Sequence, residues 1–132
     1  MGRSFVMATI LYIEDNPFNR RLTIKMLSMD HHTVIGAATG EVGVELARQK
    51  HPDLILLDIN LPDIDGIEVL RQIRHDKNLE NTPVVALTAN AMQGDRETFL
   101  ALGMNGYLPK PITRVELLNV VNQFCDAVPA LD

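Results

Sequence analysis

Five residues of types that can bind a metal ion or a phosphoryl group stand at the ends of apolar runs in this sequence. Glu14 and Asp15 directly follow the first run, Asp58 ends the third, Thr88 ends the fourth, and Lys110 follows the fifth. Ligands of open α/β sheets bind outside the carboxyl ends of the parallel strands. If these runs are parallel strands, three carboxylates, a hydroxyl and an ammonium group converge at one edge of a sheet.

Such a cluster predicts phosphoryl-transfer chemistry that depends on a divalent cation. Carboxylates held close together repel one another and lose hydration, which is costly unless a cation joins them. Hard oxygen ligands select Mg²⁺, which also binds waters and phosphate oxygens. With that ion present, Asp58 could act as a nucleophile and form an acyl phosphate. Lys110 would neutralise one phosphoryl oxygen, and Thr88 would donate a hydrogen bond to another.

The elements that must position these residues alternate regularly along the chain. Three of the five apolar runs are nearly continuous, as expected of parallel strands covered on both faces. Amphipathic segments separate the runs, so the sequence predicts a single domain over 1–132, of class α/β, with a doubly wound five-stranded parallel sheet and five helices. The predicted strands are Ala8–Ile13, Thr33–Ala37, Leu54–Leu57, Val84–Leu87 and Gly106–Leu108.

Capping signals predict where the first and fifth helices begin. Asn16 is a suitable N-cap and Pro17 a suitable first helical residue for the first helix. Thr113 is the predicted cap of the fifth. Helical spacing predicts that the first helix buries the stripe Phe18, Leu22, Met26 and Met29.

The other three helices are bounded by threonine, proline and glycine signals. Thr39 is predicted to cap a second helix over Glu41–Lys50, and a third helix follows Gly66. A fourth is predicted over Met92–Leu102; it contains Gly94 and has the weakest apolar stripe. A weak stripe indicates an element with shallow packing.

Composition and charge exclude several classes of protein. With 46% hydrophobic and 22% charged residues, the chain is typical of soluble globular domains. A net charge of −5 and scattered basic residues argue against direct binding of nucleic acid. The apolar run that ends at Ile13 is too short to cross a bilayer, so we expect no membrane association. The only cysteine, Cys125, cannot form an internal disulfide, which fits a cytoplasmic location.

The residues at the strand ends resemble the motif set of response-regulator receiver domains. The motifs are Glu14-Asp15, Asp58 followed by Pro62 and Gly66, Thr88-Ala89 and Lys110-Pro111. Each is weak alone, but the whole set in this order is specific, and the resemblance extends from Thr9 to Phe124. The stretch from Ala86 to Asp95 further resembles receivers of hybrid histidine kinases and single-domain relay regulators.

The resemblance implies a flavodoxin-like strand order, 2-1-3-4-5, in one receiver domain with a core at about residues 8–126. It implies that Asp58 takes a phosphoryl group from a phosphohistidine of a histidine kinase or histidine phosphotransfer protein. Asp15, Asp58 and the backbone carbonyl of Asn60 would hold Mg²⁺, with Glu14 helping mainly through metal-bound water. Mn²⁺ could substitute for Mg²⁺.

The resemblance also implies a switch. Lys110 would pair with the phosphoryl group, and its peptide bond to Pro111 would be cis. Thr88 would move towards the phosphoryl group, and Tyr107 would swing inwards behind it. The surface built by the fourth helix, fifth strand and fifth helix would then change its affinity for a downstream protein.

The sequence leaves the roles of some residues open. The acidic pair is Glu14-Asp15 where many relatives have two aspartates, a variant that should still hold metal. Asn60 and Asn90 occupy the two positions that tend to set the lifetime of the acyl phosphate in the family, and neither carries a charge. Tyr107 is explained about equally well as a half-buried core residue, and its spacing to Lys110 favours the switch.

Three functions compete for these residues. The preferred one is a phosphoaccepting switch that is no enzyme beyond its own phosphorylation and dephosphorylation. A phosphatase that uses aspartyl phosphate would need a second acid where Asn60 stands, and a flavin phosphate would be repelled by Glu14 and Asp15. A receiver that only docks partners is disfavoured because the motif set is intact. A stand-alone regulator and a domain of a hybrid kinase both fit, and the short ends slightly favour the former.

Overall fold

The computed structural model describes residues 7–29, 31–89 and 92–125. Strands and helices alternate strictly along them. None of the helices in this described part is long and apolar enough to cross a bilayer. The elements are β1 (Thr9–Ile13), α1 (Pro17–Ser28), β2 (Thr33–Ala37), α2 (Gly40–Lys50), β3 (Leu54–Asp58), α3 (Gly66–His75), β4 (Val84–Thr88), α4 (Asp95–Ala101), β5 (Gly106–Pro109) and α5 (Arg114–Cys125).

The five strands form one parallel sheet in the order β2-β1-β3-β4-β5, which confirms the predicted fold. Its register aligns the carboxyl ends of the strands. Ile13 at the end of β1 is paired with Leu57 of β3, and Asp58 is paired with Leu87 of β4. Thr88, the last residue of β4, is paired with Pro109 of β5. Residues that end or follow these four strands therefore share one edge.

Helices cover both faces of the sheet and bury one apolar cluster on each. The cluster beneath α2 and α3 includes Ile13, Ile55 and Leu57 from the strands. The cluster beneath α1 and α5 includes Tyr12 and Leu56. All five residues of β3 and all five of β4 are buried, which is why their sequences read as continuous apolar runs.

The predicted buried stripe of α1 is wrong except at Met26, which is half-buried against the cluster beneath α1 and α5. The predicted cap of this helix is confirmed, because Asn16 Oδ1 accepts a hydrogen bond from the Asn19 amide. Phe18 is 65% exposed, and Leu22 and Met29 are also exposed. The residues that α1 buries are Thr23 and Leu27. Apolar side chains occur on more than one face of this helix, so spacing alone did not select the face that meets the sheet.

The fourth helix begins three residues later than predicted. It starts at Asp95, and Gly94 precedes it as the N-cap with φ +90° instead of lying inside the helix. That left-handed conformation favours glycine, because other residues pay a steric cost there. No residue of α4 is buried. The helix is short, and it packs shallowly, as its weak apolar stripe indicated.

The predicted caps of α2 and α5 are confirmed. The hydroxyl of Thr39 accepts a hydrogen bond from the Val42 amide at 3.1 Å. The hydroxyl of Thr113 accepts one from the Glu116 amide at 3.1 Å, and the Glu116 carboxylate accepts one from the Thr113 amide at 2.9 Å. This reciprocal pair is a capping box, which fixes the turn between β5 and α5.

Candidate functional site

The aligned strand ends bring the five predicted chemical groups together. Glu14 and Asp15 follow β1, Asp58 and Thr88 are the last residues of β3 and β4, and Lys110 follows β5. Glu14 is 1% exposed, and Asp58 and Thr88 are each 4% exposed. Asp15 is exposed. The site therefore has buried polar groups at its base and opens to solvent at Asp15.

Within the described residues, one ammonium group, that of Lys110, forms ion pairs in the cluster of three carboxylates. Glu14, Asp15 and Asp58 each offer an oxygen, and these oxygens all lie within 4.8 Å of one another. The Lys110 ammonium nitrogen lies 2.5 Å from Glu14 Oε1 and 3.4 Å from Asp58 Oδ2. One lysine cannot neutralise three carboxylates, and hard oxygen donors at this spacing match the preference of Mg²⁺. The donor set therefore fits a divalent cation.

Glu14 is the best compensated of the three acids. Its Oε1 accepts a hydrogen bond from the Tyr12 hydroxyl at 3.1 Å as well as the contact from Lys110, and its Oε2 accepts one from the Asn16 amide at 3.2 Å. Burial alone would raise the pKa of Glu14, but the hydrogen bonds from Lys110 and Asn16 outweigh it and lower that pKa. Glu14 is thus ionised at neutral pH despite its burial.

Asp58 is less well compensated. Burial is the main cause that raises its pKa to about 6, and the neighbouring Glu14 adds to the rise. The Asn60 amide, which donates to Asp58 Oδ1 at 3.0 Å, and the charge of Lys110 oppose it. For Lys110 itself, the loss of hydration is outweighed by Glu14 and Asp58, so its pKa is raised and it stays cationic. A further cation would favour the ionised form of Asp58.

Backbone contacts hold the loops around Asp58 and Lys110. The Gly66 amide donates to the Ile59 carbonyl at 3.0 Å, and a Cβ at Gly66 would lie only 2.9 Å from Ile59 Cα. Only glycine fits this approach, which explains a glycine eight residues after Asp58. The Lys110 amide donates to the Thr88 carbonyl at 2.7 Å, and the Lys110–Pro111 bond is cis, as the resemblance implied.

Tyr107 points into the protein from β5. It is buried, and its ring stacks on Phe99 of α4 with centroids 5.5 Å apart and an interplanar angle of 19°. Its hydroxyl is also buried and has no hydrogen-bond partner among the residues that the structure describes. Thr88 lies on the neighbouring strand β4, at the site itself. Asn90, the other predicted lifetime residue, lies outside the described residues, whereas Asn60 is exposed beside Asp58.

Sequence reasoning missed two residues that touch the acidic pair. Tyr12 reaches Glu14 from β1, and a period of two along the strand could have identified it, because residues two apart share a face. Arg20 of α1 donates from one nitrogen to the Glu14 carbonyl at 2.7 Å and to the Asp15 carbonyl at 3.3 Å. No motif marks Arg20, but the first turns of a helix that follows a strand lie back over the end of that strand.

Comparison with known proteins identifies similar chains. The family model for the response regulator receiver domain matches residues 10–122. The polar-differentiation response regulator DivK of Brucella ovis is 34% identical over 116 residues, which cover 88% of this chain and 94% of DivK. DivK of Brucella anthropi is equally similar, at 34% identity over the same length.

Solved structures show the same similarity. The receiver domain of the sensor histidine kinase PA1611 of Pseudomonas aeruginosa PAO1 is 40% identical, with a TM-score of 0.84, and the match covers 92% of this chain and 99% of that one. That structure has a magnesium ion coordinated in its active site cleft. The chemotaxis protein CheY4 of Vibrio cholerae is 26% identical with a TM-score of 0.83, covering 89% of this chain and 98% of its own.

Proposed function

We propose that this chain, which belongs to the family of response regulator receiver domains, is phosphorylated on Asp58 by the phosphohistidine of a partner protein. One observation carries the proposal. Asp58 is buried within reach of Lys110 and of two further carboxylates whose oxygens lie within 4.8 Å of its own. A carboxylate in this setting combines a nucleophilic oxygen with groups that can compensate the charge of a phosphoryl group.

The proposed metal ligands are the carboxylates of Glu14, Asp15 and Asp58 and the backbone carbonyl of Asn60. Glu14 would act mainly through metal-bound water, because its own oxygens already accept three hydrogen bonds. Mg²⁺ is the proposed ion, with Mn²⁺ as a substitute, and magnesium in the cleft of the PA1611 receiver supports this choice. When bound, the ion offsets the carboxylate charges and withdraws charge from the phosphoryl oxygens.

The chain's own groups then divide the work of phosphoryl transfer. An oxygen of Asp58 attacks the phosphorus, and the bond from phosphorus to the histidine nitrogen breaks as the acyl phosphate forms. Lys110 pairs with one phosphoryl oxygen, and the Thr88 hydroxyl donates to another. By the family resemblance, Asn60 and Asn90 tune the rate at which the acyl phosphate is hydrolysed. The chemistry of the chain ends there, with no turnover of an external substrate.

The proposed output is a change in protein binding. Thr88 and Tyr107 form the switch, and the surface formed by α4, β5 and α5 binds the downstream protein. Two features support a mobile output face: α4 buries none of its residues, and the buried Tyr107 hydroxyl lacks a partner within the described residues. The phosphodonor is a histidine kinase or a histidine phosphotransfer protein. Direct contacts with nucleic acid or membrane are not part of the proposal, and the proposed location is the cytoplasm.

A small phosphodonor tests the proposal directly. We expect the wild type to gain one phosphoryl group when it is incubated with Mg²⁺ and acetyl phosphate and analysed by intact-mass spectrometry, and to gain none with EDTA. Asp58→Asn should abolish the addition. Asp53→Asn is a matched control, because Asp53 is exposed and directly precedes the opposite end of β3. A wild type that gains no mass would refute the proposal, and addition to Asp58→Asn would place the acceptor elsewhere.

A further inference from the structure

The hydroxyl of Tyr12 is a buried polar group that the mechanism above does not use. Tyr12 is 1% exposed within the apolar cluster beneath α1 and α5. Its hydroxyl donates to Glu14 Oε1 at 3.1 Å. Glu14 directly follows β1, and its amide still donates to the Ala37 carbonyl at the end of β2. The period of two therefore continues to Glu14, and the phenol lies on the same side of the sheet as the carboxylate. Tyr12 therefore contacts the acidic cluster from the apolar cluster beneath α1 and α5.

Tyr12 shares its acceptor oxygen with Lys110. The Lys110 nitrogen lies 2.5 Å from Glu14 Oε1 but 3.4 Å from Asp58 Oδ2, so in this structure the lysine is engaged mainly with Glu14. Pairing with a phosphoryl group on Asp58 requires the ammonium group to move away from Glu14. Lys110 and Tyr12 also line one open pocket of about 350 Å³, which leaves space beside the lysine side chain.

The movement of Lys110 would leave a charged carboxylate with fewer donors in a buried position. A buried carboxylate that loses a charged partner is strongly destabilised unless other donors remain. Glu14 keeps two: the Asn16 amide on Oε2, at 3.2 Å, and the Tyr12 hydroxyl on Oε1. The Tyr12 hydroxyl is the donor to the same oxygen that the lysine leaves.

We infer that Tyr12 is a positioning residue for phosphoryl transfer: its hydroxyl stabilises Glu14 while Lys110 is engaged with the phosphoryl group on Asp58. The inference rests on the proposed function. Without this hydroxyl, Lys110 is the remaining donor to Glu14 Oε1 that the structure shows, so moving the lysine away from Glu14 costs more free energy. Loss of the Tyr12 hydroxyl should therefore affect two kinds of binding differently. Binding of the metal alone, which does not require Lys110 to move, is preserved, whereas binding of a phosphoryl group is weakened.

Tyr12→Phe tests this, because it removes one oxygen and preserves the ring. The probe is beryllium fluoride, a non-covalent mimic of the phosphoryl group, added at saturating Mg²⁺ and followed by isothermal titration calorimetry. We expect Tyr12→Phe to weaken beryllium fluoride binding about tenfold, the size expected for a hydrogen bond to a charged group. Mg²⁺ alone should bind within about twofold of the wild type. Thr82→Val removes a half-buried hydroxyl that lies just before β4, at the edge of the sheet opposite to the site, and should change neither affinity by more than about twofold.

A second background separates positioning from a general loss of packing. In Glu14→Gln the charge that retains Lys110 is absent, so adding Tyr12→Phe should cause no further loss of beryllium fluoride affinity. Three results would overturn the inference: unchanged beryllium fluoride binding in Tyr12→Phe, an equal loss of Mg²⁺ binding, or a loss that persists in the Glu14→Gln background. A wild type that binds neither Mg²⁺ nor beryllium fluoride would instead refute the proposed function.

Discussion

Asp58→Asn should make the metal-free protein more stable while it removes the proposed phosphoacceptor. In the folded protein Asp58 is 4% exposed and close to Glu14, and burial raises its pKa from the usual 3.8 to about 6. The ionised form of this carboxylate is therefore unfavourable in the fold. An asparagine oxygen can still accept the hydrogen bond from the Asn60 amide, which lies 3.0 Å from Asp58 Oδ1.

The size of the effect follows from the pKa difference. Between the unfolded value of 3.8 and the folded value of about 6, the folded state binds more protons than the unfolded state. The free energy of unfolding of the wild type therefore falls as the pH rises through this window. At about 1.4 kcal/mol per unit, the cost reaches about 3 kcal/mol above pH 6. Asp58→Asn removes that cost, which corresponds to a rise in melting temperature of about 10 °C for a domain of this size.

The assay is urea or thermal unfolding of both proteins in EDTA at about pH 7.5 and about pH 4. We expect Asp58→Asn to exceed the wild type by about 3 kcal/mol at the higher pH and by less than about 1 kcal/mol at the lower. Added Mg²⁺ should narrow the difference at high pH by stabilising the wild type. The control Asp53→Asn should not be stabilised. Equal stability of Asp58→Asn and wild type at pH 7.5, or the same difference at both pH values, would refute the reasoning.

Two further substitutions test the contacts around the site. Lys110→Met should lower the free energy of unfolding by about 3 kcal/mol near neutrality, because the buried Glu14 loses its ion pair. Because the fold lowers the pKa of Glu14, the stability lost in Lys110→Met should become smaller as the pH is lowered from neutrality towards 4. Urea unfolding over this pH range measures it. A loss of stability that does not change with pH would contradict the broken ion pair as its cause. Gly66→Ala should cost about 2 kcal/mol and slow phosphorylation by acetyl phosphate, because the added methyl lies 2.9 Å from Ile59 Cα. Gly36→Ala should destabilise the protein less than Gly66→Ala, because the nearest atoms to its added methyl belong to side chains. A larger fall in melting temperature for Gly36→Ala than for Gly66→Ala would count against the steric argument.

The position of the site could be predicted from the sequence because a parallel sheet leaves few alternatives. Continuous apolar runs identified the strands, and the carboxyl ends of parallel strands must share an edge. Asp58 and Thr88 are each the last paired residue of a strand, so the predicted strand ends were short by only one residue. The residue types at those ends then limited the chemistry to that of an acidic cluster with one lysine.

Features that depend on tertiary packing could not be predicted in the same way. The helical spacing in α1 fitted more than one face, and the face that meets the sheet holds Thr23 and Leu27. The start of α4 depends on the left-handed conformation of Gly94, which the sequence alone does not reveal. The contact of Tyr12 with Glu14 was missed because an aromatic residue in a buried strand is normally explained as core.

The ion pair between Lys110 and Glu14 joins residues 96 positions apart along the chain. In the sheet, β3 and β4 lie between β1, which Glu14 follows, and β5, which Lys110 follows, so the two partners meet only when β1 and β5 are both in place. A nascent chain released before β5 is made would therefore carry Asp58 without its counter-charge. In the proposed mechanism, Asp58 can therefore accept a phosphoryl group with Lys110 opposite it only after β5 has joined the sheet.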